Sequence, residues 1–272
     1  MSNADIEIPA DIAARWRVKP SVPVAIGVFV AYVVVFIGLT STSGVAYDKW
    51  FESSENAWRS AVLPLVGASL VLVAFLAWAR WDGVFRDPAR LPMYAIQRVV
   101  IVAVVLGILV HFAVVDWGKV SGGLLLPIVI AGVLVGFAEE TMFRGVILRA
   151  LRTRGRSEAW VIVISSLWFG FFHLTNILNG SPAGPTVGQC VMASLLGTAL
   201  YYFRRWRGLL LLGMIAHGLW DISTFLPART GAGAGINLGV QAILMLLALI
   251  AIIITIKKDR STVMTPTGVI TR

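Results

Sequence analysis

The feature that most constrains this chain is a succession of apolar runs long enough to cross a lipid bilayer. A crossing helix needs roughly 17–25 residues at about 1.5 Å of rise each. Eight runs fit, at 22–40, 61–79, 99–115, 123–148, 159–175, 187–203, 208–226 and 236–256. With 58% of its 272 residues hydrophobic and 14% charged, the composition is that of a multi-span membrane protein rather than an ordinary soluble domain. The expected fold is therefore all-α: a polytopic membrane helix bundle of about eight transmembrane helices. One bundle at 22–256 is flanked by tails at 1–21 and 257–272. The first apolar run follows Arg15, Arg17 and Lys19, but it is longer than the core of a typical cleaved signal and reads as a retained span.

Orientation follows from the cations. The N-terminal tail, the even-numbered connections and the C-terminal tail carry eighteen Lys and Arg, against four (Lys49, Arg59, Lys119 and Arg229) in the odd-numbered connections. This asymmetry predicts that both termini are cytoplasmic, and the basic loops hint at substrate entry from that inner face. The net charge of +9 is thereby explained by topology, and nucleic acid is not an expected partner. The single cysteine, Cys190, excludes an intramolecular disulfide and a cysteine-based zinc site. The uncharged connection NILNGSPAGPT at 176–186 reads as a turn, and the acids Asp48, Glu52 and Glu55 as a solvated outer face.

Few ionisable groups remain inside the spans. Glu139, Glu140 and Arg144 lie in the fourth, His173 in the fifth, His217 and Asp221 in the seventh, and His111 in the third. Such groups are costly in lipid, usually face a bundle interior or wet cavity, and by default mark function. Helical rise puts Glu139 about 15 Å above Arg149, His173 about 21 Å above Ala159, and His217 and Asp221 about 14 and 20 Å above Gly208. These depths agree within about a turn and a half, so one site is open to all three helices. Glu140 and Arg144 are four residues apart and can pair, whereas Glu139 is rotated about 100° away and is free for another task. His217 and Asp221 are also four apart, which lets the aspartate orient the imidazole. Gly136, Gly170 and Gly213, each about a turn before a polar position, favour close helix approach around a pocket. His111 has no acid at helical spacing and reads as a packing histidine; Trp168 and Trp220 read as packing residues too.

A buried glutamate beside an imidazole can activate water, and a second imidazole can stabilise an oxyanion, a combination that would hydrolyse an amide. No HExxH, GxSxG or intramembrane aspartate pair is present. EETMFR at 139–144, FGFFH at 169–173 and HGLWD at 217–221 occur in that order on separate spans. They match EExxxR, FxxxH and HxxxN/D, and over about 123–226 the chain resembles the CAAX-protease and bacteriocin-processing (CPBP, or Abi) family. The resemblance implies an intramembrane endopeptidase acting on a peptide or protein, membrane-associated or lipidated substrates included. It implies that Glu139 and His173 activate water, that Glu140 and Arg144 shape the site, and that His217 and Asp221 stabilise the oxyanion. The prenyl-protein enzymes typically carry Asn where this chain has Asp221; an ionised aspartate donates no hydrogen bond and would more naturally support His217.

No cofactor is called for by this reading. The family has often been described as metalloproteases, and Glu139, His173 and His217 are the residues through which zinc would bind. A metal-free glutamate-activated water uses the same residues, and the adjacent Arg144 weighs toward it. Two alternatives differ in class: an ion- or proton-coupled transporter, which should show repeats or broken helices, and an inactive scaffold of the same fold. The expected location is a multi-pass position in the bacterial cytoplasmic membrane.

Overall fold

The computed structural model describes residues 15–227, 232–265, 268 and 270–271. Residues 1–14 of the N-terminal tail, Arg229 and Arg272, all used in the sequence reading, lie outside the described residues. Eight helices follow in order among the described residues: α1 Val22–Ser43, α2 Ser54–Ala79, α3 Ala95–Ala113, α4 Gly122–Arg152, α5 Glu158–Asn179, α6 Ala183–Arg207, α7 Leu210–Phe225 and α8 Ala232–Asp259. The chain is an all-α polytopic membrane bundle. Helices α1 to α5 and α8 are long and apolar enough to cross a bilayer. The other two expected spans differ from them: α6 is long but carries more polar residues, and α7 has 16 residues.

Local chemistry sets the helix limits. Ser53 Oγ accepts from the Asn56 N–H at 3.1 Å to start α2, and Ser121 Oγ accepts from Leu124 N–H at 3.2 Å to start α4. Gly208, with φ +70°, ends α6 in the left-handed conformation that costs glycine little. Several basic residues expected in loops stand in helices instead. Arg149 and Arg152 complete α4, Arg204, Arg205 and Arg207 complete α6, and Lys257 and Lys258 lie in the last turn of α8. A helix continues past its apolar stretch because each further residue satisfies another backbone pair, and cations suit its C-terminal end.

The two ends of the bundle are built differently. At the basic end, Asp87 in the α2–α3 connection accepts from Arg152 Nη1 at 2.8 Å and Arg204 Nε at 2.9 Å. Arg152 also pairs with Glu158 at 2.8 Å, Arg149 with Asp82 at 2.8 Å, and Arg205 with Asp259. Burial pushes the Asp87 carboxyl up, but Arg152 and Arg204 outweigh it and hold it below the usual carboxylate range. A short antiparallel ladder, β1 Val263–Met264 with β2 Ile270–Thr271, lies within the C-terminal tail. The opposite end is stitched by neutral contacts. Gln189 Nε2 donates to Tyr47 Oη and Asn176 Nδ2 to Gln189 Oε1, both at 2.9 Å, while Phe51 and Phe225 stack with centroids 4.1 Å apart.

The outer surface is apolar, with Val34, Leu70, Val133, Leu178 and Leu238 each more than half exposed. That is the surface of a lipid-embedded protein, whose polar groups turn inward.

Candidate active site

Helices α4 and α7 approach closely at Gly132, Gly136 and Gly218. A Cβ on Gly218 would stand 2.8 Å from the Gly132 carbonyl oxygen, and one on Gly136 would strike the Met214 carbonyl. This approach carries Glu139 and Glu140 on α4 against His217 on α7. Just beyond the two glutamates, Thr141–Ile147 widens into a π-helical stretch. Such widenings recur at functional sites because they rotate side chains off the regular 3.6-residue register.

Glu140 and Arg144 are fully buried and paired, Oε1 to Nη1, at 2.8 Å. The same Glu140 oxygen accepts from His217 Nδ1–H at 3.0 Å. Glu140 therefore performs the orienting role that spacing had offered to Asp221, whose Oδ2 stands 3.8 Å from His217 Nε2. Glu139 Oε2 stands 3.9 Å from that same nitrogen. His217 Nε2 thus faces two carboxylates, and its Nδ1 is held by a third.

His173 closes the last regular turn of α5, where the helix tightens into a 3₁₀ segment at His173–Asn179. Its Nδ1–H donates to the Phe169 carbonyl at 2.9 Å, which leaves Nε2 as an acceptor. The Phe169 ring joins the group: it meets the His173 and His217 rings edge-on at 5.0 and 5.5 Å, and Arg144 lies 4.2 Å from its face. Space for the guanidinium depends on Gly197 of α6, where a Cβ would come within 2.6 Å of Arg144 Nη2. Phe169 is the first residue of the FxxxH motif, whereas nothing in the sequence singles out Gly197 for its role.

Glu139, His173, His217 and Asp221 all line one cavity of about 470 Å³. Glu140 and Arg144 do not; they lie behind its wall. Aromatic residues, among them Phe36, Trp50, Phe51, Phe172, Trp220 and Phe225, supply much of the remaining surface. Asp48, read from sequence as a solvated acid, also lines it, as do Tyr47, Asn176 and Gln189. The lining contains residues of the α1–α2 connection and the outer ends of α5 and α7, and none from the basic connections, so the hint of entry from the basic face is not followed by the cavity. Trp220 lines the cavity and also packs at 4.7 Å on His111, whose Nδ1 meets Ser223 Oγ at 3.3 Å; His111 itself stands outside the lining.

The zinc set named from sequence does not assemble. Among the described residues no three His, Cys, Asp or Glu side chains are arranged to hold a metal ion.

Residues 121–223, which include Glu139, Glu140, Arg144, His173, His217 and Asp221, match the family model for Type II CAAX prenyl endopeptidase Rce1-like proteins. Over this segment the chain is similar to the CAAX-protease family. No curated protein matches the chain. The family is one of membrane peptidases, and its matched segment begins and ends within two residues of α4 and α7. Outside the match, α1, the α1–α2 connection, α2 and α8 also supply walls of the cavity, through Phe36, Trp50, Leu65 and Leu244 among others.

Proposed function

We propose that this chain is an intramembrane endopeptidase of the CAAX-protease type that hydrolyses a peptide bond with a water molecule activated by Glu139 and His173. The observation that carries the reading is the division of the polar cluster by the cavity wall. Glu139, His173, His217 and Asp221 meet the cavity, while Glu140 and Arg144 support them from behind.

In this mechanism Glu139 takes a proton from water, and His173 Nε2 accepts the second water hydrogen bond, which aims the oxygen lone pair at the substrate carbonyl. Attack forms a tetrahedral oxyanion. His217 gives its Nδ1–H to Glu140, so it offers an Nε2–H to the oxyanion as the doubly protonated ring, its charge balanced by Glu140, Glu139 and Asp221. Glu139 then returns its proton to the leaving nitrogen as the C–N bond breaks, giving a carboxylate and an amine. Asp221 acts as a charge partner of His217 rather than as a hydrogen-bond donor. Arg144 fixes Glu140, and Glu140 fixes the imidazole plane, so these two are positioning residues.

The test is substrate trapping. Membranes bearing Glu139→Gln should accumulate uncleaved peptides that wild type removes, identified by mass spectrometry, and turnover of a captured substrate should fall by about 10³-fold. Wild-type cleavage rates in that variant would refute the assignment of the base.

A further inference from the structure

Two independent features bear on which peptides this cavity accepts. The first is its charge. Three carboxylates line it, Asp48, Glu139 and Asp221, and among the described residues no lysine or arginine does. Lys49, next to Asp48, is half exposed and turned to Glu52 at 2.8 Å. Arg144 lies behind the wall with its charge already matched by Glu140. An enzyme that trims a free C-terminus needs a cation or an array of N–H donors for the terminal carboxylate. Here such a carboxylate would enter a low-dielectric space in which the three carboxylates outnumber the single His217 imidazolium, whose charge they already balance, so net repulsion remains.

The second is the direction of the opening. The buried arginine network that gathers the α2–α3, α4–α5 and α6–α7 connections marks one end of the bundle. The cavity is lined instead from the other end, by Tyr47, Asp48 and Phe51 of the α1–α2 connection, Asn176 at the end of α5, and Thr224 and Phe225 at the end of α7. The cation asymmetry assigns the basic end to the cytoplasm, so the opening faces away from it.

We infer that this site, if the peptidase reading on which the inference rests is correct, takes an internal apolar and aromatic peptide segment from the extracytoplasmic face, not a free C-terminal carboxylate delivered from the cytoplasm. The aromatic walls accept large apolar side chains on either side of the cut bond, and the carboxylates at the mouth favour uncharged or basic flanks.

The experiment has two arms on the full-length protein. In a Cys190→Ser background, Glu52→Cys and Arg154→Cys report the two ends, since both native residues are exposed and neither lines the cavity. A membrane-impermeant maleimide should label Glu52→Cys in right-side-out vesicles and Arg154→Cys in inverted ones; the reverse pattern overturns the assignment of the face. In the second arm, detergent-solubilised protein meets one quenched fluorescent apolar peptide in three forms: ending in a free acid three residues after the cleavage point, ending there as an amide, and extended on both sides. The amide and extended forms should be cleaved about tenfold faster than the acid, a difference of the order expected for one like charge in a poorly screened site. Asp48→Asn should shrink that ratio. Equal or faster cleavage of the acid overturns the proposal. If wild type cleaves none of the three forms and is indistinguishable from Glu139→Gln, the peptidase reading itself falls and takes the substrate class with it, while the labelling still decides the face.

Discussion

At the scale of single residues, the adjacent glutamates differ in what surrounds them. Glu140 has no exposure and two side-chain partners within 3.0 Å, Arg144 and His217. Glu139 faces the cavity, and among the described residues its ion-pair partner is His217, at 3.9 Å. Replacing Glu140 leaves a buried guanidinium uncompensated, so Glu140→Gln should lower folding stability by about 3–5 kcal/mol. Its cleavage rate should fall together with its thermal midpoint in detergent. Glu139→Gln removes a carboxylate that no arginine pairs, and its stability should change by no more than about 1 kcal/mol while activity is lost. A thermal-shift series run beside a cleavage assay separates the two: equal loss of stability in both variants would contradict the division of roles. The metal question also sits at this scale. Because the Glu139, His173 and His217 set does not assemble as a ligand group, protein treated exhaustively with a strong chelator should keep its cleavage rate. A loss restored by added zinc would require the three side chains to rearrange.

At the scale of elements, the contact of α4 with α7 decides whether the site exists. Gly132, Gly136 and Gly218 bring the two backbones so close that carbonyl oxygens occupy the space of a methyl group. Gly136→Ala must push the helices apart, and overpacking of this kind costs about 1–3 kcal/mol. The displacement also carries Glu140 away from His217 Nδ1, so activity should fall by more than stability alone explains. Gly27→Ala on α1, where a Cβ would meet nothing within 4 Å, serves as the control and should be neutral or slightly stabilising. Equal activity of the two variants would show that the close approach does not hold the site. Gly136, unlike Gly218, was visible in the sequence as a small residue near polar ones. Which partner each would meet was not, because spacing along one helix says nothing of the rotation of its neighbour.

At the scale of the whole molecule, the bundle is clamped at its basic end and opened at the other. Asp87 ties the α2–α3 connection to α4 and α6 through Arg152 and Arg204. Its carboxyl is held below the ordinary range despite burial, so its contribution to stability is complete above the unfolded-state value, near 4, and is lost as pH falls through the lower folded-state value. Acid unfolding of wild type should therefore steepen below about pH 4. Asp87→Asn should be less stable at neutral pH by about 3–5 kcal/mol and should lose part of that acid dependence, as circular dichroism across a pH series would read. The sequence by itself determined the membrane bundle, its helix order and the residues that could carry chemistry, because burying backbone and charge in lipid is costly enough to leave a mark in any single run of residues. Tertiary structure alone decided that Glu140 rather than Asp221 holds His217 Nδ1, that Asp48 lines the cavity, and that the cavity opens away from the arginine cluster. Those facts depend on how helices rotate and tilt against each other, and small differences in packing at Gly136, Gly197 and Gly218 set that rotation without any periodic trace in the chain.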